Sequence, residues 1–501
     1  MKNKTGITLL IFILVIFIGC NPKEGSREYS EVITPESQGI SSKAIISFLE
    51  AAESERPDDM HSIIIMRHGK KITEGYWTPY NEESNHMLFS LSKSFTSTAI
   101  GIAQDEGLLS IYDPVTSFFP ESLPDSISPN LKAMRIKDLL RMSTGHDQDA
   151  TGGLMAGGKS WVEAFLSLDV EHKPGTHFVY NSAATYMLSA IIQKVTGGTL
   201  LEYLTPRLFE PLGITNPEWD SDPDGINIGG WGLNVRTKDI ASLGQLYLQK
   251  GTWNGERLIS EAWVEEATSL QTSNGSSPDS DWDQGYGYQF WQCRYGLYRG
   301  DGAFGQYCIV MPEQDVVVAI TSGTNDMQAI MNLVWDHLLP AFQENPLPVD
   351  ENSYSSLKNK LSELAMSTTE GENTSDIAES ISGKEYELEE NVLGMKSMLF
   401  ELSETDHSII FEGQDETITV PVGFKSTEKG EMLFPQYGKQ PVETTGAWIS
   451  NNTYKMRMYY FETPFNINMD FIFSEDVLTA DIAMNISFGP GGMPQLQGKA
   501  K

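Results

Sequence analysis

Cysteine is scarce in this chain, with three residues among 501. Three cannot build a disulfide framework. Positive charge is also in short supply: 35 Lys+Arg face 68 Asp+Glu, a formal net charge of −33. A surface this acidic repels phosphate backbones, so no nucleic-acid partner is expected. Adhesion to a membrane through a basic patch is disfavoured for the same reason. Long apolar runs are missing after the first twenty residues, and the mean hydropathy is −0.28, which excludes a polytopic membrane protein. What is present is 40% hydrophobic and 10% aromatic residues, enough to bury a sizeable core. The length predicts two or three domains, at roughly 100–200 residues each.

The one long apolar run opens the chain. Lys2 and Lys4 precede Ile7 to Ile18, and Gly19 and Cys20 follow. The run is short for a membrane span and fits a signal peptide over 1–19. Its ending resembles a bacterial lipoprotein box, with Phe17 where that box usually has Leu. The expectation is an exported protein of the bacterial cell envelope, anchored by a lipid on Cys20 and a polar tether over 20–34. The plain alternative is an ordinary signal peptide with a coincidental Cys. Cys293 and Cys308 flank a predicted hairpin. A disulfide and two buried thiols both remain open for them.

Further along, Ile63–Arg67 and Ile72–Trp77 read as a hairpin around a Gly-containing turn. Helical periodicity marks 90–106, 136–142, 181–195, 237–250 and 327–339. Strand patterns return at 286–291, 306–310 and 316–321. Strands at both ends with helices between predict one sheet shared by the two termini of a unit spanning 35–342. Residues 343–385 are polar and acidic and read as a linker carrying a short helix near 354–365. Short alternating runs over 386–501 predict a small all-β domain, open sheet or barrel.

Several motifs are decoys. Gly300-Asp301-Gly302-Ala303-Phe304-Gly305 matches GxGxxG, but a strand follows it where a dinucleotide site needs a helix. There is no GxSxG, no HExxH and no Walker A loop, and Cys and His do not cluster with metal-ligand spacing. Neither metal nor cofactor is expected. The positive candidate is Ser-x-x-Lys, which occurs at Ser90/Lys93, Ser355/Lys358 and Ser426/Lys429. Only the first opens an apolar, small-residue helix. There Lys93 lies one turn from Ser90 on the same face, and unpaired backbone N–H groups favour an oxyanion. Desolvation would lower the lysine pKa and make it a base. The plain alternative is an N-cap serine and a solvated lysine. Tyr180, at the start of the helix 181–195, could point its phenol at this pair, where a neighbouring ammonium would lower its pKa.

With these residues in view, the chain resembles the serine β-lactamase and penicillin-binding-protein superfamily, in its class C-like branch. That branch includes class C β-lactamases, D-alanyl-D-alanine carboxypeptidases, D-aminopeptidases, family VIII carboxylesterases and 6-aminohexanoate-dimer hydrolases. The matching blocks are Phe89–Ser97, Ile136–Gly145, Pro174–Ser182, Glu210–Ile214 and Gly302–Pro312, in order and over about residues 35–340. The resemblance implies an α+β β-lactamase/transpeptidase-like fold, an antiparallel sheet plus an all-helical subdomain. It implies Ser90 as nucleophile, Lys93 as general base and Tyr180 as the acid that protonates the leaving group. The N–H groups of Ser90 and of the strand near Ala303 would form the oxyanion hole, with Ser182, Gly302 and Ala303 meeting substrate.

Two departures bear on substrate. The Tyr-x-Asn triplet appears as Tyr180-Asn181-Ser182, and the third motif, Lys-Thr-Gly or His-x-Gly, appears as Gly300-Asp301-Gly302. The cation that would meet a substrate carboxylate is missing, and strand alternation points Arg299 to the opposite face. The expected substrate is therefore a small ester, amide or peptide without that carboxylate. A β-lactamase or D-alanyl-D-alanine peptidase is the first alternative. A non-catalytic binding protein on the same scaffold is the second. Trp231, in a Gly-rich loop, is expected at the active-site rim. His68 and His86 are read as surface or structural. Tyr459, Tyr460 and Phe461 could serve a binding role for the β domain, although alternation into its core accounts for most of them.

Overall fold

The protein is described by a computed structural model that covers residues 32–434, 436–489 and 495–501. The expected signal peptide, most of the tether and Cys20 lie outside these residues. No helix among the described residues is long and apolar enough to cross a membrane.

The first unit is organised around one antiparallel sheet. Helix α1 (Ser42–Glu55) leads into the hairpin β1 (Met60–Arg67) and β2 (Lys70–Tyr76). The helices α2 (Ser92–Asp105), α3 (Ser182–Thr196) and α4 (Thr237–Leu248) follow. The chain then returns through β3 (Trp291–Gln292), β4 (Tyr298–Gly302), β5 (Gln306–Met311) and β6 (Val316–Ser322). The strand order is β2-β1-β6-β5-β4-β3. Thus β1 pairs with β6 (Ile64 opposite Ala319), and the two ends of the unit share the sheet as expected. β1, β5 and β6 are buried along their whole length, which is why they read as continuous apolar runs rather than alternating ones. α1 covers one face, with Phe48 and Leu49 against Ile63 and Ile65. α2 and α4 cover the other, with Phe95 and Leu243 in the core that holds Ile64, Val310 and Val317.

The two faces decide the cysteine question. Cys293 belongs to the α1 side and Cys308 to the α4 side, and both are free, buried thiols. Residues 343–367 run along the first unit, and from Thr369 the segment turns onto the C-terminal unit, where Glu372 bonds Trp448 and Ile381 joins the core. Their helix, Glu351–Ser362, buries Leu357 against the α1-side core, and Lys360 pairs with Glu53.

The C-terminal unit is one ten-stranded antiparallel sheet. Its strands are β7 (Glu385–Leu388), β8 (Ser397–Leu402), β9 (His407–Glu412), β10 (Thr417–Val422) and β11 (Glu428–Phe434). β12 (Gly438–Ser450), β13 (Thr453–Tyr459), β14 (Asn466–Ser474), β15 (Val477–Met484) and β16 (Leu496–Ala500) complete it. The order β10-β9-β8-β7-β16-β15-β14-β13-β12-β11 curls into a near-barrel. Gly423, just past β10, bonds β12 through its own N–H to Thr444 O and its carbonyl to Gly446 N, which brings the two ends together. Alternation sends Tyr454, Met456, Met458, Phe471 and Phe473 inward.

This barrel docks on the first unit beside the start of α2. Arg457 reaches Asp58 at 2.9 Å, Tyr459 OH donates to Ser367 O at 2.6 Å, and Met87 N donates to Glu462 O at 3.0 Å. Tyr459 and Tyr460 are therefore buried, so they offer no exposed aromatic platform. Phe465 of the barrel packs against Phe89 and Phe304 with ring centroids 6.2 and 5.8 Å apart.

Candidate active site

α2 is buried along nearly its whole length yet rich in hydroxyl side chains. Each hydroxyl anchors a neighbouring segment. Ser92 Oγ donates to Phe89 O and accepts from Leu233 N; Ser94 Oγ donates to Gln289 O; Thr96 Oγ1 to Gly229 O; Ser97 Oγ to Tyr288 O. Burying such groups is tolerable only because they are paired. The result is a rigid post from which the surrounding loops hang.

Ser90 sits in the tight turn Phe89–Leu91 just ahead of α2, and Lys93 is in the first turn of the helix. Lys93 Nζ is the hub. It donates to Ser90 Oγ at 3.0 Å, to Ser182 Oγ at 3.0 Å and to the Gly230 carbonyl at 2.7 Å. Desolvation pushes its pKa down from 10.5 to about 7, against the carboxylates of Asp149 and Asp301, which hold it up. The approach of the 229–230 loop requires glycine: a Cβ on Gly230 would stand 2.8 Å from Ser182 O.

Tyr180 ends the loop before α3. Its phenol hydrogen-bonds Ser90, and its ring lies 4.9 Å from Lys93 Nζ. Trp291 stacks on it at 5.2 Å and Tyr286 meets it edge-on at 6.1 Å. The expectation that this phenol titrates low does not hold. Burial raises its pKa above 10, and this outweighs the hydrogen bond from Ser90. Tyr180 is thus a neutral proton donor beside an amine that is easily deprotonated.

β4 runs alongside the nucleophile turn. A Cβ on Gly300 would meet Leu91 and Ser94, and one on Gly302 would meet Leu88 O at 2.1 Å. Phe89 and Phe304, each next in sequence to one of the N–H groups expected in the oxyanion hole, touch at 5.4 Å. Both have positive φ, 46° and 66°, which turns the backbone sharply at these two points. Arg299 points away from α2, as alternation predicts, and is fully buried. Its Nε donates to Asp301 Oδ2 at 2.7 Å, and its guanidinium lies 4.8 Å from the Trp282 ring. The guanidinium is thereby committed to Asp301, and a carboxylate stands where the third motif would present Thr.

The structure gathers Ser90, Lys93, Tyr180 and Ser182 around one amine, with Gly302 and Ala303 alongside. Ser182, expected to meet substrate, bonds the lysine instead. Nothing in the pattern of residues singles out the Gly230 carbonyl, the Trp291/Tyr286 clamp or Asp149. A Gly-Gly pair beside Trp231 was the one available hint, and Trp231 itself packs at 6.1 Å from Trp161. His86 is structural, bonded to His61 at 3.1 Å and pushed by burial to about 4. Asp147, His172 and His177 place three donor atoms within 4.8 Å of one another on the outer loops, a grouping that spacing did not reveal.

A helix-borne serine and lysine, a tyrosine opposite, and an antiparallel sheet edge beside them define a serine hydrolase. The chain belongs to the Beta-lactamase family, whose sequence model matches residues 51–337. It is similar to a 6-aminohexanoate-dimer hydrolase of Paenarthrobacter ureafaciens, with 26% identity over 293 residues, covering 53% of this chain and 73% of that protein. It is also similar to a lovastatin esterase of Penicillium rubens, with 25% identity over 173 residues, 30% of this chain and 43% of that one. Among solved structures, a candidate 6-aminohexanoate-dimer hydrolase from Bacillus anthracis shares the fold with a TM-score of 0.53 and 20% identity, over 66% of this chain and 90% of that one.

Proposed function

We propose that the protein cleaves a small ester or amide through an acyl-Ser90 intermediate. Neutral Lys93 takes the Ser90 proton as Oγ attacks the carbonyl carbon. The carbonyl π electrons move to oxygen, where the N–H groups of Ser90 and Ala303 receive the charge. Collapse expels the leaving group, which takes a proton from the Tyr180 phenol, and Lys93 returns a proton to Tyr180. Water then repeats the sequence on the acyl-serine, releasing the acid. The observation that carries this reading is the 3.0 Å contact from Lys93 Nζ to Ser90 Oγ, made by an amine held at about 7.

The favoured substrate lacks a carboxylate near the scissile bond. Arg299 is turned away, Asp301 stands on the strand, and Asp149 is close enough to act on Lys93. A carboxylate brought by a β-lactam or a D-alanyl peptide would find the Arg299 charge already paired with Asp301 and would meet Asp149 near the lysine. The name of the relative from Paenarthrobacter ureafaciens, a dimer hydrolase, and that of the esterase from Penicillium rubens agree with amide and ester chemistry. We further propose export and lipid attachment at Cys20, on the sequence of the first twenty residues. Labelled palmitate incorporated into wild type and not into Cys20→Ala supports that placement. Equal labelling refutes it.

The enzymatic reading is tested with p-nitrophenyl butyrate. Wild type should release p-nitrophenol in a burst stoichiometric with enzyme, and Ser90→Ala should not. Identical traces from the two proteins would refute the role given to Ser90.

A further inference from the structure

The two ends of the C-terminal barrel are filled differently. At one end aromatic rings close the interior: Phe400 meets Phe471 and Phe473 at 5.0 and 5.1 Å, and Trp448 meets Tyr454 at 5.5 Å. At the other end the inward-facing rows mix a few rings, Phe411, Phe434 and Tyr460, with methionine and isoleucine side chains. The cross-strand neighbours there are Phe411 with Ile418, Met458 with Ile467, and Met469 with Ile482. These rows surround a cavity of about 560 Å3.

We infer that this cavity is a binding site for the hydrocarbon chain of a neutral, single-chain lipid such as a fatty alcohol. Three observations lead there. The volume lies within the range of about 300–1,000 Å3 typical of ligand pockets. Barrel-like antiparallel sheets hold one small ligand when their interior rows leave room, and ten strands give a wider interior than the roughly eight that side chains alone can fill. The wall is apolar and includes Met395, Met432, Met458 and Met469, whose flexible thioethers adapt to a chain without a fixed shape. The headgroup follows from the mouth. It opens beside the exposed turn with Gln414 and Asp415, and Glu416 there is paired with Lys439 at 2.6 Å. Among the described lining residues, no cation offers itself to a fatty carboxylate, and Asp415 opposes one. A hydroxyl can bond Gln414 or Asp415 without that penalty.

The site is independent of the acyl-serine reading, since none of these residues touches Ser90, Lys93 or Tyr180. It lies close by nonetheless. Phe434, in the cavity wall, packs on Phe465 at 4.9 Å, and Phe465 in turn contacts Phe89.

The test uses the purified protein and the fluorescent probe N-phenyl-1-naphthylamine. Saturable binding at one site, displaced by 1-dodecanol and at least tenfold less well by dodecanoate, is the expected result. Ile418→Trp and Ile482→Phe each fill the cavity from a different strand. Either should weaken probe binding at least tenfold and leave turnover of p-nitrophenyl butyrate unchanged. In methyl-labelled protein the Met432, Met458 and Met469 signals should shift with dodecanol. This readout needs no variant and decides the matter if both variants fail to fold. No saturable binding, or binding that neither variant weakens, overturns the site. Equal displacement by dodecanoate overturns the neutral headgroup.

Discussion

The state of Lys93 sets the pH dependence of acylation, and the dependence can be worked from the site. Moving the pKa from 10.5 to about 7 means that the ammonium costs roughly 4–5 kcal/mol more here than in water, at about 1.4 kcal/mol per pH unit. The base form is the amine, so acylation should rise tenfold per unit as pH increases toward 7 and flatten above it. At pH 5 the rate should be about a hundredth of the plateau. The plateau should persist to high pH, because burial holds the Tyr180 phenol protonated well beyond its ordinary range. The perturbation is Asp149→Asn. Asp149 favours the ammonium, so its removal lowers the lysine pKa further and moves the acid limb to lower pH. The carboxylate is exposed and screened, so the displacement should be a few tenths of a unit. The assay is the burst rate with p-nitrophenyl butyrate in a stopped-flow instrument from pH 5 to 9. A flat profile, a midpoint near 10, or a displacement to higher pH in Asp149→Asn would refute the reasoning.

Other expectations follow from the same geometry. Lys93→Met should abolish the burst and stabilise the fold by on the order of 1–3 kcal/mol at or below pH 7 in urea unfolding. The folded pKa lies below the unfolded one, so wild type pays the full charging cost below about 7 and sheds it as pH rises toward 10.5; the advantage of the variant should shrink over that window. Phe465→Ala removes ring contacts to Phe89, Phe304 and Phe434 and should cost about 3–5 kcal/mol in stability. Its burst should also slow, because two of those rings flank the oxyanion N–H groups. Cys293 and Cys308 are buried with raised pKa values, about 11 and about 12, through desolvation. Both should react with a thiol reagent only after unfolding, and a reducing agent should leave the melting temperature unchanged.

The fold was legible where periodicity and burial agree. The apolar runs at 60–67 and 316–322 announce central strands, and the alternation after 386 announces a sheet with one dry face. Ser90 and Lys93 were legible because one helical turn brings them together whatever the rest of the chain does. Tyr180 came from its position ahead of a buried helix and from the family resemblance, not from spacing alone. The Gly230 carbonyl, Trp291 and Asp149 were not legible, since their partners lie 137, 111 and 33–56 residues away in sequence or more. Only the closed loops bring them in.

 The low phenol pKa expected of Tyr180 failed for a related reason. One helical turn places an ammonium beside Ser90 and so near the phenol, while the burial supplied by Trp291 and Tyr286 comes only with the fold, and burial dominates. The cysteines show the same limit. Their hairpin placement leaves a bridge and two buried thiols equally open, and only the sheet reveals that the two side chains lie on opposite faces.

The most direct test of the account is the mass of the protein quenched in acid during turnover of p-nitrophenyl butyrate. The account predicts one added butyryl group per chain, located by fragmentation on the peptide containing Ser90 and absent from Ser90→Ala. An unmodified protein at every quench time, or a butyryl group carried equally by Ser90→Ala, would contradict it.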